Sequence, residues 1–113
     1  MTESKELLRG TLKTIVLRLL AQHHRMYGYE MTQQVKVLTA GEITLNFGAL
    51  YPILHKLEED GLLITETEIV EGRTRKYYLL TPEGNTFASL KTKELERFIG
   101  HLNALLSPPQ LSI

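Results

Sequence analysis

The apolar positions of this chain keep a helical period up to Gly61, an extended one from Leu62 to Thr81, and a helical one again beyond Pro82. The most regular helical stretch is L-N-F-G-A-L-Y-P-I-L-H-K-L-E-E-D-G, in which Phe47, Leu50, Tyr51, Leu54 and Leu57 fall in steps of three and four. That spacing predicts a helix over about 46–60 with one anchored side. Asn46 stands where an N-cap belongs and Gly61 where a helix stops in the left-handed conformation. The opposite side holds small or polar residues: Gly48, Ala49, Pro52, His55 and Lys56. Pro52 lacks the N–H that would bond the Gly48 carbonyl, which predicts a local kink.

Before it, Leu8, Leu12, Ile15, Val16, Leu19 and Leu20 make a stripe over 5–22, which Leu7 and Leu17 widen. A stripe that broad predicts a helix covered on two sides. Gly28 then breaks the pattern ahead of a second helix at about 29–38, with Met31, Val35 and Leu38 inward. A loop follows at 40–42, and Ile43–Leu45 reads as a short edge strand. After Gly61, Leu62–Ile69 and Arg75–Thr81 are two extended runs around a turn at Glu71-Gly72-Arg73-Thr74, a hairpin pattern in which Tyr77 and Tyr78 point to opposite faces. Thr81, Pro82 and Glu83 supply the cap, first position and first-turn acid of a last helix. That helix carries Phe87, Leu90, Leu95, Phe98, Ile99, Leu102, Leu105 and Leu106, and Ser107-Pro108-Pro109 ends it. The 95, 98, 102, 105 spacing is coiled-coil-like but too short for an autonomous coil.

Three helices, a hairpin and a helix make a mainly α chain with a two-stranded β wing, the order of a winged helix-turn-helix. There the third helix enters the major groove and the hairpin lies along the backbone. The organisation expected is a winged helix-turn-helix unit over 1–81, a C-terminal dimerisation helix over 82–107, and a frayed tail over 108–113.

Composition changes this picture little. The chain has 113 residues, 42% of them hydrophobic, and no cysteine, which removes disulfides and thiolate metal sites. A first stretch of mixed charge and the lack of any apolar run near bilayer length point to a cytoplasmic chain with no membrane partner. A net charge of +0 weighs against a nucleic-acid partner, but its distribution does not. Residues 1–40 and 73–113 are each basic, and 41–72 are acidic.

The segments L-L-R-G-T-L (7–12), M-Y-G-Y-E (26–30), G-A-L-Y-P-I-L-H-K-L-E-E-D-G-L-L (48–63) and G-R-T-R-K-Y-Y-L-L-T-P-E-G (72–84), in this order, resemble the PadR-like transcriptional regulators. A single C-terminal helix is similar to the small subfamily. The resemblance implies a homodimeric winged-helix repressor on an inverted-repeat operator, with the last helix exchanged between subunits, and in many members an aromatic or drug-like effector. Two departures matter. Ala49 stands where the family usually has Thr, removing a hydroxyl. The chain has no Trp, which some small members use to stack flat ligands, and Leu95 lies near that place.

The candidate DNA-binding set is Tyr29, Asn46, Gly48, Ala49, Tyr51, Pro52, His55 and Lys56, with Arg73, Thr74, Arg75 and Lys76 on the wing. Small residues let the helix approach closely, its first N–H groups suit phosphate, and His55 and Lys56 reach a base edge or a phosphate. Tyr51 is either core or a phenol directed at phosphate. The three wing cations form a compact positive site. The candidate dimer interface is Leu8, Leu12, Ile15, Leu95, Phe98, Ile99, Leu102, Leu105 and Leu106, because an apolar stripe beyond the winged unit needs covering. A small-molecule effector at that interface is a further possible partner. His23, His24 and Glu30 read as surface residues rather than metal ligands. With no nucleophile–base pair, no metal and no cofactor are expected, and the chain is not an enzyme. The rival function is a winged-helix protein–protein interaction module, which the acidic run Glu58-Glu59-Asp60 favours.

Overall fold

The structure is a computed structural model and describes residues 5–108, so that the first four residues and most of the tail expected at 108–113 lie outside it. Its elements are α1 (Lys5–Gln22), β1 (Met26–Tyr27), α2 (Gly28–Leu38), α3 (Phe47–Glu59), β2 (Leu63–Val70), β3 (Arg73–Leu80) and α4 (Pro82–Leu106). The expected order of three helices, a hairpin and a helix is present.

The core forms where the helical stripes meet. Leu12, Val16, Leu17, Leu19 and Leu20 of α1, Met31 and Val35 of α2, and Leu50, Leu54 and Leu57 of α3 are all buried. Burying such a side chain contributes about 1.5–3 kcal/mol. α1 is the central helix, covered by α4 on one side and by α3 and β3 on others, as the width of its stripe requires. Leu17 belongs to that cover and Leu7 does not, being exposed. Leu38, expected inward, is 65% exposed, because α2 ends there and the chain turns away through Ala40 and Gly41, both at positive φ.

Two expectations about strands are corrected. Ile43–Leu45 is not a strand: Leu45 is buried, and the Ile43 N–H donates to Thr39 Oγ1 at 3.0 Å instead of to a neighbouring strand. The third strand is Met26–Tyr27, giving an antiparallel sheet in the order β1-β3-β2 with Met26 opposite Tyr78 and Tyr27 opposite Tyr77. The hairpin turn is also tighter than expected. Glu71 and Gly72, at φ 51° and 79°, are its two central residues, the two-residue arrangement whose twist matches the strands. Arg73 and Thr74 therefore lie in β3, opposite Val70 and Ile69.

α3 begins and ends as its sequence dictates. Asn46 Oδ1 accepts from the Ala49 N–H at 2.8 Å. At the other end, Gly61 takes φ +76° and the Leu62 N–H bonds back to the Leu57 carbonyl at 2.9 Å. α4 then fastens onto this same turn. The Thr81 N–H donates to the Leu62 carbonyl at 3.0 Å, and its hydroxyl donates to the Gly61 carbonyl at 2.8 Å. Thr81 Oγ1 also accepts from the Gly84 N–H at 3.0 Å, so one side chain caps α4 and ties it to the end of α3. Gly84 is buried here, and a Cβ on it would lie 2.0 Å from the Leu62 carbonyl oxygen. Backbone cannot swing aside as a side chain can. Gly84→Ala should therefore lower stability by about 2–3 kcal/mol, read as a reduced urea midpoint at fixed protein concentration. A midpoint within error of the parent would mean that the junction is looser than described.

Candidate nucleic-acid interface

The front of α3 is left open by the packing of its back. Gly48, Ala49, Pro52, His55 and Lys56 are all exposed, as the spacing predicts. The anchored back is narrower than expected, because Phe47 and Tyr51 lie at its margin and not in the core. They form an aromatic ladder along the helix with His55, with ring centroids 5.6 Å apart for Phe47–Tyr51 and 6.5 Å for Tyr51–His55. Asn46 has its carbonyl oxygen engaged as the cap, which leaves its amide NH2 to donate outward. Lys56 reaches Asp60 at 3.4 Å, an exposed pair whose loss costs little.

Tyr51 is 37% exposed and takes a position between the two alternatives set by sequence. Its phenol lies over the start of α2, with the hydroxyl 2.6 Å from where a Cβ on Gly28 would be. Gly28 is thus the residue that lets the ring settle there, and it is the first residue of α2 rather than a break before it. From this wall a groove of about 660 Å³ runs to the wing, whose side is formed by Val70, Glu71, Arg73, Thr74, Arg75 and Lys76, three cations to one carboxylate. Tyr51 and the wing cations therefore face one groove, although α3 and the hairpin tip are well separated in sequence.

The wing cations do not form one cluster. Strand alternation places Arg73 and Arg75 on one face of the hairpin and Thr74 and Lys76 on the other. Arg73, Thr74 and Lys76 are exposed; Arg75 is half-buried, its guanidinium carbon 4.2 Å from the centroid of the Tyr27 ring. A hydrogen bond with Tyr77 leads the causes that hold the Arg75 guanidinium above its usual pKa, so it stays a cation. Tyr77 and Tyr78 are both buried, whichever face they occupy. Tyr78 faces the core, and burial pushes its phenol up; Tyr77 is covered by the Tyr27 ring and by Arg25, whose guanidinium lies 3.9 Å above it. Tyr29 is exposed beside Tyr27, with ring centroids 6.4 Å apart.

Sequence reasoning missed three basic residues. Lys5 and Arg9 of α1 line a depression together with Asn46, Gly48, Ala49 and Pro52, so cations also border the α3 front on the side away from the wing. Their helical spacing toward the solvent side of α1 was the available signal. Arg25 hydrogen-bonds Glu66 at 3.1 Å and Glu68 as well, compensating part of the acidic middle of the chain. Nothing in the local sequence marks a partner 41 and 43 positions away.

Along α4 the apolar positions divide. Leu95 is half-buried, whereas Phe98, Ile99 and Leu102 are exposed, and Leu105 and Leu106 reach 79% and 81% exposure. Leu8 and Ile15 are half-buried against the core. Leu12, expected to face a partner, is 2% exposed and belongs to the core of the chain itself, since its position turns it toward α3 and not toward the outer side of α1. Among the described residues no group of three or more His, Cys, Asp or Glu is arranged to hold a metal ion, and no helix is long and apolar enough to cross a membrane.

Comparison with known proteins gives this geometry a family. A model described as the transcriptional regulator PadR-like family matches residues 16–89. The transcriptional regulator Rv3488 of Mycobacterium tuberculosis is 37% identical over 84 residues, which cover 71% of this chain and 76% of that protein. A transcriptional regulator from Clostridium thermocellum superposes with a TM-score of 0.81 at 28% identity, over 91% of this chain and 100% of that one. A PadR family transcriptional regulator from Eggerthella lenta does so with a TM-score of 0.74 at 31% identity, over 92% of this chain and 88% of that one. With a winged unit of this form and a family match running from α1 into α4, the chain belongs to the PadR-like family of transcriptional regulators, which are regulators and not enzymes.

Proposed function

We propose that the chain is a homodimeric repressor that binds an inverted-repeat operator in double-stranded DNA. α3 enters the major groove by its front, and the wing follows the backbone. The observation that carries this reading is the placement of the α3 front, small and polar, between two sets of cations: Lys5 and Arg9 on α1, and Arg73, Arg75 and Lys76 on the wing. Small residues permit close approach, and flanking cations hold phosphates on either side. His55 and the ladder edge read bases, while Tyr29 and Tyr51 border the phosphate path. Repression is the mode that resemblance to the family implies.

Residues 82–107 serve as the dimerisation helix and the unit up to Thr81 as the DNA-binding part. The exposed strip Phe98, Ile99, Leu102, Leu105 and Leu106 supports this, since an apolar strip of that length is normally covered in solution. A second copy covers it through a two-fold axis, with Leu8, Ile15 and Leu95 at the margin, and two-fold symmetry in turn calls for two half-sites about one DNA turn apart. An apolar cavity of about 290 Å³ beside this strip, lined by Ile15, Leu19, Val35, Leu38, Leu95 and Ile99, favours an apolar small-molecule effector as a second ligand.

The first test is binding to DNA from the chain's own promoter region against random competitor across a salt series. The expected result is retention of the specific fragment, with a logarithmic salt slope of about −0.9 per phosphate neutralised. His55→Ala should alter base preference, whereas Lys76→Ala should weaken all sequences alike. A folded dimer that binds no DNA at low salt would instead support the protein-interaction module.

Two further outcomes test the geometry. Leu102→Glu with Leu105→Glu should give a monomer in sedimentation velocity and weaken operator binding at least tenfold. A dimer of unchanged affinity would place the subunit contact elsewhere. Gly28→Ala should push the Tyr51 phenol off the start of α2 and into the groove. DNA affinity should then fall several-fold, with a stability loss under about 1 kcal/mol because only the far end of a flexible side chain must move. Unchanged affinity would remove Tyr51 from the phosphate path.

A further inference from the structure

The register of the wing creates a pairing that the structure does not make. Glu68 of β2 lies directly opposite Arg75 of β3, and Glu66 lies opposite Tyr77, all on one face of the sheet. Directly opposed residues have Cβ atoms about 4.5–5.5 Å apart, close enough for a carboxylate and a guanidinium to join. Glu68 nevertheless binds Arg25, and Arg75 leans the other way, onto the Tyr27 ring of β1. The two arginines are therefore crossed over the sheet. Arg25 precedes β1 and reaches across β3 to β2; Arg75 sits on β3 and reaches back to β1.

Arg25 is built for this reach. Nη1 donates to Glu66 and Nη2 to Glu68, so each arm of the fork takes one carboxylate, and the guanidinium carbon lies over the buried Tyr77 ring, 3.9 Å from its centroid. Holding two carboxylates while stacking on a ring needs a planar, two-armed cation; a lysine ammonium does not reproduce it.

We propose that Arg25 is a positioning residue of the wing: by occupying Glu66 and Glu68 it keeps Arg75 out of a cross-strand ion pair and available to a nucleic-acid backbone in the groove beside Tyr51. This rests on the DNA-binding reading for its consequence, though not for its geometry. Without Arg25, Glu68 captures Arg75, and the wing loses one phosphate contact while keeping its fold. The arginine that matters for wing charge then lies outside the wing.

The test compares variants that share one background. Arg25→Ala should weaken operator and random DNA by the same factor, about three- to tenfold, and should reduce the magnitude of the salt slope by about one unit per wing. Adding Glu68→Gln should restore the slope; adding Glu66→Gln, which leaves Glu68 free to take Arg75, should not. Arg25→Lys should behave as Arg25→Ala. An unchanged slope in Arg25→Ala, rescue by both glutamine variants alike, or rescue by neither would overturn the proposal, the last two because they mark a general brace. The Arg75 Nε–Hε resonance of the DNA-free protein separates this from the function itself. It should shift in Arg25→Ala and return with Glu68→Gln. If the parent protein binds no DNA while that resonance moves as described, the functional reading fails and the crossed pair stands; a resonance that does not move overturns the crossed pair.

Discussion

The turn at Gly61–Leu62 is the constraint on which the rest of the molecule depends. It ends α3, starts β2, and receives α4, through backbone groups and the one side chain of Thr81. Gly61 takes the left-handed conformation that closes α3, and the Leu62 carbonyl then meets the Thr81 N–H while Gly84 packs against it without a side chain. Because most of these contacts are between backbones, neither helix can tilt without breaking a hydrogen bond or driving two backbone segments together. The direction of the helix proposed to read DNA is thus fixed relative to the helix proposed to join two subunits. In such a dimer the spacing of the two reading helices follows from how α4 pairs, with little slack between, which is what a fixed half-site separation demands.

A similar economy governs charge. The chain is neutral overall, yet several of its carboxylates are already engaged by cations. Glu66 and Glu68 are held by Arg25, Asp60 by Lys56, and Glu94 by Lys91. The cations bordering the α3 front, Lys5, Arg9, Arg73 and Arg75, are in no such ion pair among the described residues. Net charge is a poor guide to a nucleic-acid partner, because what a phosphate would meet is the local field within about a Debye length, not the sum over the chain.

The helices were legible because each carries its own punctuation: Asn46 and Gly61 for α3, Thr81 and Pro82 for α4. The hairpin was legible for the same reason, its residues lying close in sequence. What could not be read depends on distant partners. Met26–Tyr27 becomes a strand only because β3 arrives beside it, and Ile43–Leu45, with better strand residues, fails to become one because nothing does. Two residues of pairing carry no period to detect. The same holds within the candidate site. The exposed front of α3 follows from spacing alone, whereas the crossing of Arg25 and Arg75, the settling of Tyr51 on Gly28, and the approach of Lys5 and Arg9 to Ala49 are set by tertiary packing. Leu12 reads as an interface residue for a related reason: on a helix covered on several sides, spacing says that a residue is apolar but not which neighbour it meets.

The front of α3 also bears on why one subunit would be insufficient. Gly48, Ala49 and Pro52 offer shape but few hydrogen bonds, and Ala49 lacks the hydroxyl usual at its place in the family. A surface of that kind discriminates through close fit, with the cations at its borders supplying most of the attraction, and such attraction is largely indifferent to sequence. In the proposed dimer, specificity is gained by matching two such surfaces to two half-sites at once, where the second contact is made at the high effective concentration set by the first. That gain exists only if the two surfaces are held at the right separation. In the proposed dimer α4 and the α3 front are therefore complementary: the fewer bases each reading helix distinguishes through His55 and its neighbours, the more the distance between the two helices contributes to specificity.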